Sequence, residues 1–138
     1  MNGGRDSHRS TEEERMDIKP ALVAVLPAND LDASQAFYTR LGFRCDDGAA
    51  GYRILTHPTG AMLHLTAAVE GWLVRGRNPF GLYLYAAEVD ALAERFAGET
   101  LEPGGVEDKP WGMREFSLSD PDETLVRIGW PLRLLRGA

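Results

Sequence analysis

A chain of 138 residues, 43% hydrophobic and 26% charged, is long enough to bury one core and ordinary in composition for a globular protein. It has no apolar run near the ~20 residues of a membrane span, and its polar, charged beginning lacks the apolar stretch of a secretion signal. The single cysteine, Cys45, cannot close an internal disulfide, so a reducing cytoplasm is expected; a net charge of −6 argues against nucleic acid and allows a cationic ligand.

Residues 1–17 are polar and are expected to form a flexible tail, with Ser10 or Thr11 able to cap a short helix, His8 solvated and Met16 an alternative start. Residues 18–138 are expected to form one domain. Ala21 to Pro27 reads as a short buried strand ended by proline. The Asn29-Asp30-Leu31-Asp32 run offers helix caps. The helix follows with Leu31, Ser34, Tyr38 and Leu41 on one stripe, and Gly42 stops it. A strand is expected to start at Phe43 to Cys45, with others at Gly51 to Leu55 and Ala61 to Ala67 and a turn at His57 to Gly60, which completes a βαβββ module over about 20–68.

A linker containing Trp72, Arg75, Arg77 and Asn78-Pro79 leads to a second module over about 79–131. Phe80 to Ala86 reads as a strand, and a helix opens at Glu88-Val89-Asp90 and stops at Gly98. A weak strand is expected at Leu101 to Val106, broken by Pro103-Gly104-Gly105. The hairpin Met113 to Leu118 and Leu125 to Trp130 turns at Asp120-Pro121-Asp122-Glu123, where proline sets φ and the aspartates can accept from the turn's own amides. Leu132 to Ala138 is a short basic tail.

The two halves superimpose in sequence. Asp30 matches Glu88 and Leu31 matches Val89 at an offset of 58; His57 matches Asp120, Gly60 matches Glu123 and Met62 matches Leu125 at an offset of 63. Two modules that each leave a sheet face uncovered can pair around a concave cup, giving an α+β fold with a curved mixed sheet and a pocket for a small molecule.

The run Asn29 to Tyr38 (D-L-x-x-S-x-x-F-Y), with Leu41-Gly42-Phe43 and Asp120-Pro121-Asp122, resembles the vicinal oxygen chelate superfamily, the glyoxalase/bleomycin-resistance/dioxygenase group, over roughly Ala21 to Pro131. Glu123-Thr124 departs from the Gly-Asn or Gly-Thr usual there. The resemblance implies a cup whose base often holds a divalent metal on four strand positions. Carried through the repeat, those positions are Val23, His64, Gly81 and Arg127. Valine and glycine offer no donor, arginine is a permanent cation, and one histidine is too few, so no metal and no cofactor are expected.

Strand alternation turns Val23, Val25, Tyr52, Ile54, Met62, His64, Gly81, Tyr83, Tyr85, Met113, Glu115, Ser117, Leu125 and Arg127 toward the cup. The candidate ligand-binding residues are Trp111, Tyr83, Tyr85, His64, Glu115, Ser117, Arg127, Trp72, Phe80 and Tyr52. They suit a ligand with flat rings and amides, and Glu115 is placed to accept from a cationic or amide-rich one. Set against this, His64 reads more readily as a hydrogen-bonded structural histidine, Arg127 as the partner of Glu115 in an ion pair, and Asp120 and Asp122 as turn-makers. Phe37, Tyr38 and Phe43 read as core. No nucleophile stands beside a base: Ser117 has none near it in sequence.

The resemblance is nearest to the bleomycin-resistance proteins, which sequester a drug in a groove between two subunits. It implies a cytoplasmic, homodimeric binding protein for a cationic or aromatic glycopeptide-type drug, conferring antibiotic resistance, rather than an enzyme. The alternatives are a metal-dependent glyoxalase, dioxygenase or thiol-transferase-type enzyme of the same superfamily, and a scaffold dimer with a vestigial cup.

Overall fold

A computed structural model describes residues 21–136. The tail at 1–17, with Ser10, Thr11, His8 and Met16, lies outside the described residues. The first half comprises β1 (Ala24–Ala28), α1 (Leu31–Arg40), β2 (Arg44–Ala49), β3 (Tyr52–Thr56) and β4 (Met62–Ala67). The second comprises β5 (Gly81–Tyr85), α2 (Val89–Arg95), β6 (Glu107–Asp108), β7 (Met113–Ser119), β8 (Leu125–Pro131) and α3 (Leu132–Arg136). They form two four-stranded sheets, β1-β4-β3-β2 and β5-β8-β7-β6. In each, the first strand runs parallel to the last and the other pairings are antiparallel.

The repeat is physical as well as textual. Val25 faces His64 across β1 and β4, and Tyr83 faces Arg127 across β5 and β8. Ile54 faces His64 as Ser117 faces Arg127, and Tyr52 faces Thr66 as Glu115 faces Gly129. These pairs stand at the offsets of 58 and 63 read from the sequence.

Helix α1 begins where the carboxylate of Asp30 accepts from the amide of Ala33 at 3.1 Å. It ends at Leu41, and Gly42 follows at φ +111°, where a β-carbon would also press into the ring of His57. Ser34, Tyr38 and Leu41 are buried, as the spacing predicts. One hydrophobic cluster spans both halves and includes Leu26, Tyr38, Leu65, Phe96, Phe116 and Ile128. Because strand side chains alternate, the residues between these core positions lie on the opposite sheet faces.

Two local expectations are corrected, the bounds of β1 and the strand at Leu101 to Val106. β1 starts at Ala24 and runs past Pro27 to Ala28, and β2 extends to Ala49 with an irregularity between Cys45 and Asp47. Leu101 to Val106 forms turns and bends rather than a strand. Pro103 has no amide to give a ladder and Gly105 sits at φ +83°. The edge of β7 is satisfied otherwise: Leu101 N–H donates to Ser117 O at 2.9 Å, and the Glu102 carboxylate accepts from Ser117 N–H at 2.8 Å. Strand pairing resumes only at Glu107 and Asp108. The basic tail folds in part, as α3.

The Asp120–Glu123 turn joins the halves. Asp120, 5% exposed, accepts from the amides of Asp122 (2.8 Å) and Thr124 (2.9 Å) and from the Tyr38 hydroxyl (2.8 Å). Burial, then the Asp120 charge, drives the Tyr38 phenol far above its ordinary range. Asp122 accepts from Asn29 N–H at 3.3 Å and Ser34 Oγ at 3.4 Å. Glu123 occupies the left-handed region at φ +66°, and its carboxylate accepts from Gly76 N–H at 2.6 Å, an anchor that a glycine there would lack.

Candidate ligand-binding site

The second sheet carries two rows of residues on the face turned away from the common core; Tyr83, Tyr85 and Arg127 are exposed there, whereas Ser117, Glu115 and Gly129 are buried. Tyr83, Arg127 and Ser117 form one row across β5, β8 and β7; Tyr85, Gly129 and Glu115 form the next. The rings of Tyr83 and Tyr85 lie 4.9 Å apart, tilted by 45°. Gly129 leaves a flat spot that Tyr83 uses: a β-carbon there would collide with the Tyr83 hydroxyl and lie 2.9 Å from the Glu115 β-carbon. The Tyr83 pKa is pushed up to about 12, chiefly by burial and next by the Glu115 charge, so the phenol is a protonated donor at neutral pH.

Trp111 sits in a tight turn between β6 and β7. Lys109 N–H donates to Met113 O at 2.7 Å, Gly112 N–H donates to Lys109 O at 3.0 Å, and Gly112 takes φ +87°. The indole is 61% exposed, yet it is held: its Nε1–H donates at 2.6 Å to Oε1 of Glu115, which is 1% exposed. A buried carboxylate needs a donor, and this one takes its donor from a wall of the site. The Lys109 ammonium lies 5.8 Å from the Trp111 ring and bonds Glu107 at 2.8 Å. Arg127 is exposed and, among the described residues, forms no hydrogen bond or salt bridge, so the ion pair with Glu115 is not made. Arg114 turns the other way, to Asp90 on α2 and to Asp108.

The first sheet's open face is different. The Tyr52 hydroxyl and His64 Nδ1 are 2.7 Å apart, with their rings edge-to-face at 5.4 Å. His64 is thus hydrogen-bonded within its own sheet. The structure brings Tyr83, Tyr85, Ser117, Glu115, Trp111 and Arg127 together on one face, and Tyr52 with His64 on another. No hydrogen bond or ring contact among the described residues joins the two groups. Trp72 and Phe80 stand exposed on the connection between the halves and at the start of β5. Gly129 and Lys109 went unremarked in the sequence; a glycine inside the apolar strand Leu125 to Trp130 was the available signal for the first.

Groove volume lies mostly elsewhere, although Tyr83 helps to line a cavity of about 90 Å³ between the halves, with Tyr38, Leu63 and Leu84. Open grooves of about 570 Å³ between α2 and the 98–106 loop, and about 620 Å³ beside Gln35, Cys45 and Arg53, are both off the aromatic face. Within one chain, the tyrosine–tryptophan face is an open platform rather than a closed pocket.

Val23, His64, Gly81 and Arg127 do not fit a divalent ion. Two have no donor atom, one is cationic, and His64 already engages Tyr52. Among the described residues no three His, Cys, Asp or Glu side chains converge as metal ligands, and no helix is long and apolar enough to cross a membrane.

The Glyoxalase/Bleomycin resistance protein/Dioxygenase superfamily profile matches residues 21–128, and the chain belongs to that superfamily. Among solved structures it is similar to a bleomycin resistance determinant encoded on the transposon Tn5, at 27% identity and TM-score 0.68, covering 82% of this chain and 98% of that one. It is also similar to a bleomycin-binding protein complexed with bleomycin, at 28% identity and TM-score 0.67, with coverage of 82% and 98%. A lactoylglutathione lyase from Agrobacterium tumefaciens shares the fold at 23% identity and TM-score 0.62, covering 82% and 94%. A search of curated protein sequences finds no match.

Proposed function

We propose that this chain is a metal-free small-molecule-binding protein of the bleomycin-resistance type, acting by sequestration rather than catalysis. The observation that carries this is the Trp111 indole, largely exposed but fixed by the buried Glu115 carboxylate beside the Tyr83–Tyr85 pair. A rigid aromatic wall costs little ordering entropy when a flat ring stacks on it. The side chains at Val23, Gly81 and Arg127 leave a bound ion without ligands, which separates this chain from metal-dependent chemistry on the same frame.

The two open sheet faces also favour a homodimer in which the first sheet of one chain covers the second sheet of its partner. Val25 (53% exposed) and Tyr85 (57%) stand uncovered on those faces. Such pairing would turn the platform into a groove for a drug-sized, ring-bearing ligand, and a cytoplasmic location and an antibiotic-resistance role follow from the same analogy.

Fluorescence titration tests this. The chain has three tryptophans, so a Trp72→Phe, Trp130→Phe variant leaves Trp111 as sole reporter. Metal-free bleomycin, added in the presence of EDTA, should quench it saturably at one equivalent per chain. No response from Trp111, or a response that EDTA abolishes, contradicts the proposal.

A further inference from the structure

We infer that, between otherwise similar flat-ring ligands, the open face of the second sheet favours the one bearing an oxyanion over its uncharged counterpart, and that Arg127 supplies this preference. This rests on the proposed use of that face as the binding site. It runs against the chain's net charge of −6, which by itself favours a cationic ligand.

The local inventory carries the preference. The carboxylate of this face, Glu115, is 1% exposed, and its Oε1 is taken by Trp111. Arg127 points into solvent from the central pair of strands, between Tyr83 on β5 and Ser117 on β7. Arg40, Arg44, Arg53, Arg75 and Arg114 each have a carboxylate within 4.0 Å. Arg127 has none among the described residues. Arg77, Arg95 and Arg133 also have no carboxylate within 4.0 Å among the described residues; what sets Arg127 apart is its place on the aromatic face, beside Tyr83 and Ser117. Its neighbour Tyr83 is a protonated hydroxyl, so the row offers donors. A guanidinium fork beside flat rings suits a carboxylate, sulfonate or phosphate on an aromatic ring. The repeat supports the contrast: at the matching position in the first half, His64 is already bonded to Tyr52.

Two probes that differ by one group test this: 8-anilinonaphthalene-1-sulfonate and its uncharged parent, N-phenyl-1-naphthylamine. Each is titrated into the full-length wild type, Arg127→Gln, Arg127→Lys and Trp111→Ala proteins. The wild type should bind the sulfonate about tenfold tighter than the parent, as a charge-assisted contact would give. Arg127→Gln should bring that ratio near one, with Arg127→Lys between. Equal wild-type affinities, a ratio unmoved by Arg127→Gln, or no saturable binding of either probe overturns the inference. Trp111→Ala separates the two failures: if it leaves both wild-type curves unchanged, the probes bind elsewhere and the proposed site itself fails.

Discussion

The two sheets share a backbone plan and differ in what they expose. Tyr52 and His64 in the first sheet correspond to Glu115 and Arg127 in the second, in the same register across the same pairs of strands. In the first sheet the two side chains satisfy each other. In the second they part: Glu115 turns inward to hold Trp111, and Arg127 is left facing out. Sixty-three residues before Trp111 stands Gly48, so the first half has no counterpart of the indole. Register is set by the ladder and by burial of one face, which tolerate any side chain on the other. The open faces are therefore free to diverge.

The largest expected effect falls on what the halves share. Asp120→Ala strips the acceptor from Tyr38 and from two amides at the seam. It should cost about 3 kcal/mol in urea unfolding, since buried donors left unpaired cost ~1–3 kcal/mol each. A loss below half that would mean the seam relaxes and the halves are less interdependent than their common core implies. Next is the indole. Trp111→Ala should weaken a ring-bearing ligand by roughly tenfold or more, the scale of an aromatic anchor. Glu115→Gln, which keeps an acceptor for Nε1–H, should cost far less than Glu115→Leu, which removes it. Equal losses in the two Glu115 variants would end the positioning role of that carboxylate.

Tyr52→Phe probes the self-satisfied pair in the first sheet. It should lower stability by about 1 kcal/mol, the net worth of one hydrogen bond, as measured by thermal or urea unfolding. The smallest effect is on pH dependence. Burial raises the Asp122 pKa above the ordinary carboxylate range, with backbone bonding from Asn29 as the leading opposing effect. The folded state therefore binds that proton more readily than the unfolded chain. Its contribution to stability is full below the unfolded pKa and is lost as pH rises through the folded one. Relative to Asp122→Asn, which is neutral throughout, the wild type should gain stability as pH falls from neutral through that window. A flat difference between the two proteins would remove Asp122 as a titrating element of the seam.

Much of the frame was legible. The D-L-x-x-S-x-x-F-Y run fixed α1 because cap, stripe and stop agree. The offsets of 58 and 63 link equivalent positions of the two sheets. Alternation placed the exposed face, because one face of each strand is buried in a common core. Leu101 to Val106 reads as a strand and is not one, because a glutamate side chain and a loop amide there replace a strand's hydrogen bonds, a substitution with no periodic signature. The Glu115–Trp111 bond was equally unreadable: both residues were candidates, but their direction toward each other depends on the turn at Gly112. Nor does alternation say whether two open faces meet within one chain.

The central claim is that this superfamily frame carries no seat for an ion at Val23, His64, Gly81 and Arg127. Elemental analysis of the purified full-length protein, paired with thermal unfolding in zinc, nickel, manganese or EDTA, tests it most directly. The account predicts well under one divalent ion per chain and a midpoint that none of these additions moves. One ion per chain, or a midpoint several degrees higher with a particular metal and lost on chelation, would contradict it.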